Sequence, residues 1–232
     1  MTATMQALFD EHAGLALSRQ RDLGERIGTW RWDFAMDEGT MRFSKPGVLG
    51  FGAKSIASPC QVLGSESESS GTWLWAWANT QSGIPASLLR AAEALRARGE
   101  RDQIPELTAR SLDLAEWDGH RIAMIASGSS ASAAGYYRGP YPGGALFVLL
   151  TGQSLVTPVD MPVLRFTSVL PELIAGFPIE DHRRAARGLA RGLGLKVAED
   201  EPRWTVSGGD GAADVTFDAQ GRLANVQSRL RR

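Results

Sequence analysis

Cysteine is almost absent: Cys60 is the only one in 232 residues, which excludes an intrachain disulfide and a thiolate-rich zinc site. Histidine is nearly as scarce. His12, His120 and His182 are the whole supply and show no metal-ligand spacing, so no metal site is expected. Long apolar runs are also missing. The longest, Ala145-Leu146-Phe147-Val148-Leu149-Leu150, falls far short of the roughly 20 residues a membrane helix needs. Net charge is close to zero, with 25 Lys+Arg against 26 Asp+Glu, so no global field draws nucleic acid or an anionic membrane. Residues 1–11 carry Asp10 and Glu11 and lack the basic start and apolar stretch of a secretory signal, so the expected location is cytoplasmic. Phosphate loops are lacking too: Gly192-Leu193-Gly194 has no third glycine, and Gly208-Gly209-Asp210-Gly211 is not followed by Gly-Lys-Ser/Thr. No cofactor is expected.

Tryptophan, by contrast, is abundant and patterned. In Gly71-Thr72-Trp73-Leu74-Trp75-Ala76-Trp77-Ala78-Asn79 an indole occupies every second position. An extended chain points alternate side chains to opposite faces, which places Trp73, Trp75 and Trp77 together and Leu74, Ala76 and Ala78 behind them. A helix turning roughly 100° per residue would scatter the three indoles, so the stretch predicts a strand.

Around it, residues 4–26 show the three- and four-residue apolar spacing of an amphipathic helix, ended by Gly28. Trp30, Trp32 and Phe34 alternate before Asp37-Glu38-Gly39, and Met41 and Phe43 alternate after it, predicting a hairpin with a left-handed glycine in its loop. A third strand within residues 48–64 completes a four-stranded meander. Residues 86–98, rich in Ala, Leu, Arg and Glu, predict a helix ending at Gly99. A short strand within 106–114, a helix over 116–132 and paired strands at 136–138 and 145–150 follow. After a Pro-containing linker at 153–161 come a strand at 163–169, one or two helices over 171–195, a hairpin of 204–207 with 214–217, and a last strand at 223–230. The expected class is α+β, mostly antiparallel sheet packed by helices, with one domain over residues 1–152 and a smaller α+β segment over 163–232. The strand–helix–hairpin orders of residues 108–151 and 163–230 look alike, which raises a duplication without residue-level identity to support it.

Leu63-Gly64, the tryptophan motif Thr72 to Asn79, the helix at 86–98 and Ile104-Pro105-Glu106-Leu107-Thr108 together resemble a bacterial family of uncharacterised proteins, domain-of-unknown-function family 6882. The resemblance covers roughly residues 15–151. It implies a bacterial, cytosolic origin and assigns no catalytic residue.

Four constellations bear on function. Trp73, Trp75 and Trp77, with Asn79 as a polar group, form either a core face or the wall of an apolar ligand pocket. Glu116 and His120, four apart on an expected helix, offer an acid–base pair for a hydrolytic enzyme, or simply a solvated helix start. Ser127-Gly128-Ser129-Ser130-Ala131-Ser132 lacks the closing glycine of a nucleophile elbow. Arg183, Arg187 and Arg191 line one helix face without interleaved aromatics, which favours a solvated face over a nucleic-acid grip. The expected function is non-catalytic binding of a partner protein or a small apolar ligand; the alternative is a Glu116/His120 hydrolase. Oligomeric state is not encoded legibly.

Overall fold

The computed structural model describes residues 3–47 and 52–231 and confirms an α+β protein with two antiparallel sheets. It divides into two compact units, one of Arg19–Thr157 and one of Thr4–Ser18 with Pro158 onward. Residues 4–18, which the sequence groups with the N-terminal domain, thus belong with the C-terminal segment. They form the first part of helix α1, Met5–Ile27.

In the first unit, β1 (Arg31–Ala35) and β2 (Thr40–Lys45) make the expected hairpin, with Gly39 at φ 62° in its loop. Strand β3, Lys54–Ser67, is the spine of the sheet. Its first part pairs with β2, and its second part pairs with both β4, Thr72–Trp75, and β7, Gly144–Leu150. The meander of four strands is therefore present; the portion of the expected third strand at residues 48–51 lies outside the described residues. Two further strands extend it: β5, Ser111–Asp113, on β4, and β6, Gly135–Tyr141, on β7. Pro142-Gly143, with Gly143 at φ 87°, joins β6 to β7 in a tight turn. β7 is buried along nearly its whole length, which explains its unbroken apolar run.

Three helices accompany this sheet: α2 (Arg90–Asp102), α3 (Pro105–Thr108) and α4 (Gly119–Ser129). Two boundaries differ from expectation. α2 runs through Gly99 to Asp102, and its cap Gln103 takes the left-handed conformation while Ile104 N–H returns to the Gly99 carbonyl at 2.9 Å. Gly99 serves a close approach instead, since a Cβ there would stand 2.5 Å from that of Leu107. α4 starts only at Gly119, because Asp118 caps it by accepting the Arg121 N–H at 3.0 Å.

In the second unit residues 163–169 are helical, not a strand. Val163, Phe166, Val169, Leu170 and Leu173 are its buried residues, a helical spacing that outweighs the β-branched valines. Helix α5 is Pro162–Gly176, with proline at its first position and the Asp210 carboxylate accepting the Val163 and Leu164 N–H groups. Helix α6 is His182–Gly192, capped by Asp181. A four-stranded sheet follows in the order β11-β10-β9-β8, formed by β8 (Lys196–Asp200), β9 (Arg203–Gly208), β10 (Gly211–Phe217) and β11 (Leu223–Leu230). Because this stretch opens with two helices and not a strand, its element order differs from that of residues 108–151, and the likeness suggesting a duplication disappears.

Candidate functional site

The tryptophan motif divides at Trp75. Trp73 and Trp75 lie on β4, fully buried and edge to face at 5.5 Å, and Trp73 meets Phe147 of β7 at 5.4 Å. Gly64 makes this possible, because any Cβ on it would fall 2.4 Å from a Trp73 ring carbon. The Trp75 indole donates to the Glu106 carbonyl at 3.2 Å. Beyond Trp75 the chain turns into a single 3-10 turn, Ala76–Ala78, so Trp77 leaves the strand face it was expected to share. Trp77 is half-buried, with the Arg96 guanidinium 4.6 Å from its ring centre. Asn79 caps the next turn, its side-chain oxygen accepting the Ser82 N–H at 3.2 Å.

Glu116 and His120 do not share a helical face. Glu116 is exposed and precedes the cap, while His120 occupies the second position of α4. The His120 Nδ1 lies 3.0 Å from the Tyr136 hydroxyl, and its ring stands edge to face on Phe147 at 5.4 Å. Partial dehydration on that side lowers the imidazole pKa, opposed by the charges of Asp118 and Glu66. Glu66 accepts the Gly119 N–H at 2.9 Å and lies 3.4 Å from the Arg138 Nε. These contacts fix the start of α4 against β3 and β6. Sequence reasoning missed Glu66 and Arg138, because their partners are more than fifty residues away along the chain.

The serine run offers no nucleophile. Ser127 is wholly buried within α4, and its hydroxyl has no hydrogen-bond partner among the described residues. His120 lies seven residues earlier on the same helix, about 10 Å along the axis, too far to serve it as a base. The Cys60 thiol is also inert, since burial pushes its pKa up to about 11. Among the described residues no group of three His, Cys, Asp or Glu side chains is placed to hold a metal ion, and no helix is long and apolar enough to cross a membrane.

The arginines of α6 are engaged within their own unit. Arg187 grips Glu199 through two bonds of 2.7 and 2.8 Å, Arg183 meets Glu201 at 2.8 Å, and Arg191 and Arg184 face Glu11. Arg183 and Arg187 also cover Phe217 and Trp204, each 5.0 Å from a ring centre. Their guanidiniums cover apolar surface of the unit and are neutralised by its own carboxylates.

One open concave feature of the first unit is a groove between α2 and the end of α4. Ala91, Ala94 and Arg98 form one wall, Ala126 and Ser130 the other, and Leu149 of β7 the floor, enclosing 350 Å³. It exists because both helices present small side chains to each other. An adjoining hollow of 450 Å³ extends it over Gln61, the cross-strand partner of Leu149, to Arg90. Arg90, Arg98 and Arg101 are the charged side chains along its lining. The Gln61 amide donates to the Cys60 and Ser87 carbonyls at 3.2 and 3.1 Å, leaving its oxygen shielded and without a partner among the described residues. No motif in the sequence announces this groove, which arises from two helices separated in the chain by α3 and β5.

Comparison with known proteins returns no match among curated proteins and none among solved structures. One family model matches residues 6–153, nine residues further toward the N-terminus than the resemblance seen in the sequence. That match spans more than half of the chain, which therefore belongs to the family of unknown function DUF6882.

Proposed function

We propose that the chain is a non-catalytic binding protein of the bacterial cytoplasm that holds a partner protein in the groove between α2 and α4. The observation that carries this reading is the groove itself: an open, polar-rimmed cleft between two helices, floored by a buried strand. The apolar-ligand alternative loses ground because Trp73 and Trp75 are spent on the core and Trp77 is covered by Arg96. The hydrolase alternative loses the shared helical face that paired Glu116 with His120.

Native mass spectrometry of the chain, isolated gently from the cells that make it, tests the proposal. The wild type is expected above its bare 25.0 kDa, and Ala94→Trp, which plugs the groove, at the bare mass. A bare wild-type chain that turns over esters or phosphoesters would overturn it.

A further inference from the structure

A strand at the margin of a sheet shows a row of unpaired N–H and C=O groups, which proteins blunt with charge, proline or brevity. Most outer strands here are blunted in one of these ways. β1 carries Arg31 and Asp33, β8 carries Lys196, Glu199 and Asp200, and β5 has only 3 residues. β6 contains Arg138 and Pro140, and its Tyr136 N–H is taken by Gln20 at 2.9 Å. β11 differs: Leu223–Leu230 is 8 residues long, lacks proline, and has Arg229 as its one charged side chain, already met by Asp214 at 2.9 Å. The aim of its backbone follows from one hydrogen bond. Arg231 N–H donates to the Asp210 carbonyl at 2.8 Å, in line with the β10–β11 register, so alternation turns the N–H and C=O of Arg229, Gln227 and Asn225 toward β10. Those of Val226, Ser228 and Leu230 point away from the sheet, and among the described residues nothing bonds to them. Leu223, beyond the bulge, is closed off, because its N–H donates to His182 Nδ1 at 2.9 Å.

We infer that two copies of this chain pair through β11, antiparallel about a two-fold axis at Ser228, joining their 4-stranded sheets into one. The inference is independent of the groove, because every residue it uses lies in the second unit. In that register the open residues of the two copies face one another, Val226 against Leu230 and Ser228 against Ser228, and each facing pair exchanges two hydrogen bonds. Centring on Val226 instead would bring the bulge beside Leu223 into the seam. The side chains favour the same alignment. Val226 and Leu230 lie on the face of the buried Val215 and Ala213, and Leu230 is left 39% exposed, so the two side chains cover each other across the seam. On the opposite face the exposed Gln227 meets Arg229 of the second copy, and the two Arg229 guanidiniums are never directly opposed. A foreign strand would satisfy the backbone alone, whereas β11 matches itself on both faces. A seam of this length buries less than the roughly 1,200 Å² of a stable complex. The pair is therefore weak, with a dissociation constant on the order of 0.1 mM, and it falls apart at the low micromolar concentrations of native mass spectrometry.

Sedimentation equilibrium of the full chain, from about one-tenth to about ten times that constant, tests the pairing. The mass is expected to rise from 25.0 kDa toward twice that value, while exchange of the Val226, Ser228 and Leu230 amides slows. Ser228→Pro removes the central outward N–H, spares the bonds to β10, and should abolish the rise. Gln227→Lys, set against Arg229 of the second copy, should weaken pairing roughly fivefold, and Gln227→Glu should strengthen it by a similar factor, since each change counts twice across the axis. These opposed surface changes keep the test intact should the proline variant fail to fold. The register is read by oxidation with diamide: Ser228→Cys should cross-link to its own copy and Asn225→Cys should not, Cys60 being buried. A mass fixed at 25.0 kDa throughout, with no Ser228→Cys cross-link, overturns the inference. So does a dimer that Ser228→Pro leaves intact, which would have to use another surface. Slow exchange at Val226, Ser228 and Leu230 in a chain that stays single would give the edge to a different occupant and overturn the pairing of two copies.

Discussion

Gly64 in β3 lies beneath the Trp73 indole, where an added Cβ would come within 2.4 Å of a ring carbon, whereas Gly188 in α6 lies against the α1 backbone, 1.9 Å from the Glu11 carbonyl oxygen by the same measure. The first unit thus uses a glycine to seat a large side chain across a sheet. The second uses glycines to bring helices together: Gly14 faces Leu189, and Gly192 faces Leu15. A ring can tilt and a rotamer can change, but two helical backbones can only separate. The two schemes should differ in how much a single methyl costs them.

Gly188→Ala is expected to have the largest effect. Overpacking costs about 1–3 kcal/mol, and a collision with backbone belongs at or beyond the top of that range. The roughly 1 kcal/mol that Ala gains over Gly inside a helix offsets only part of it. Gly24→Ala, inside helix α1 with nothing within 4 Å, isolates that gain and should carry the opposite sign. Chemical denaturation of both variants, with hydrogen exchange at α6, checks the pair; a Gly188→Ala protein as stable as wild type would sink the close-crossing account. Gly64→Ala comes next, at about 2 kcal/mol, because the methyl would meet Trp73 and also the Leu74 carbonyl oxygen at 2.5 Å. Faster exchange confined to β3 and β4, together with a red-shifted tryptophan emission, is the expected signature.

The sequence made this contrast visible only in part. The alternating indoles identify β4, and Gly64 falls in the motif beside them, so the packed side of the first sheet is legible as local periodicity. Trp77 was misplaced because alternation cannot reveal where a strand stops: Trp75 ends it, and the next three residues turn. Residues 163–169 misled for the converse reason, since two valines favour a strand locally while burial at Val163, Phe166 and Leu170 follows a helix. Gly188 reads in sequence as one more residue of an arginine-rich helix, and its role depends on Glu11, which is 177 positions earlier by subtraction of their numbers. The groove is illegible for the same reason: Ala91, Ala126 and Leu149 are unremarkable until three elements are assembled.

The smallest expected effect separates the units by pH. In the second unit, burial raises the pKa of the Asp10 carboxyl from 3.8, although the Glu180 and Asp181 N–H groups and Gln6 donate to it. A raised carboxyl binds its proton more tightly when folded, so its contribution is fully present below 3.8 and is lost as pH rises through the folded value. In the first unit His120 is lowered from 6.5, so its contribution is present above 6.5 and is lost as pH falls through the folded value. Acidification from about pH 7 therefore weakens one unit while strengthening the other. Subtracting variants isolates each group: wild type minus His120→Gln should lose stability as pH falls below 6.5, and wild type minus Asp10→Asn should gain it as pH falls toward 3.8. Asp102, Glu199 and Asp218 are lowered by their arginines or backbone donors, so their own contributions hold until pH falls to about 5, the edge of the ordinary carboxylate range. Difference slopes of the same sign in hydrogen exchange, resolved by unit, would show that Asp10 and His120 do not titrate against opposite environments.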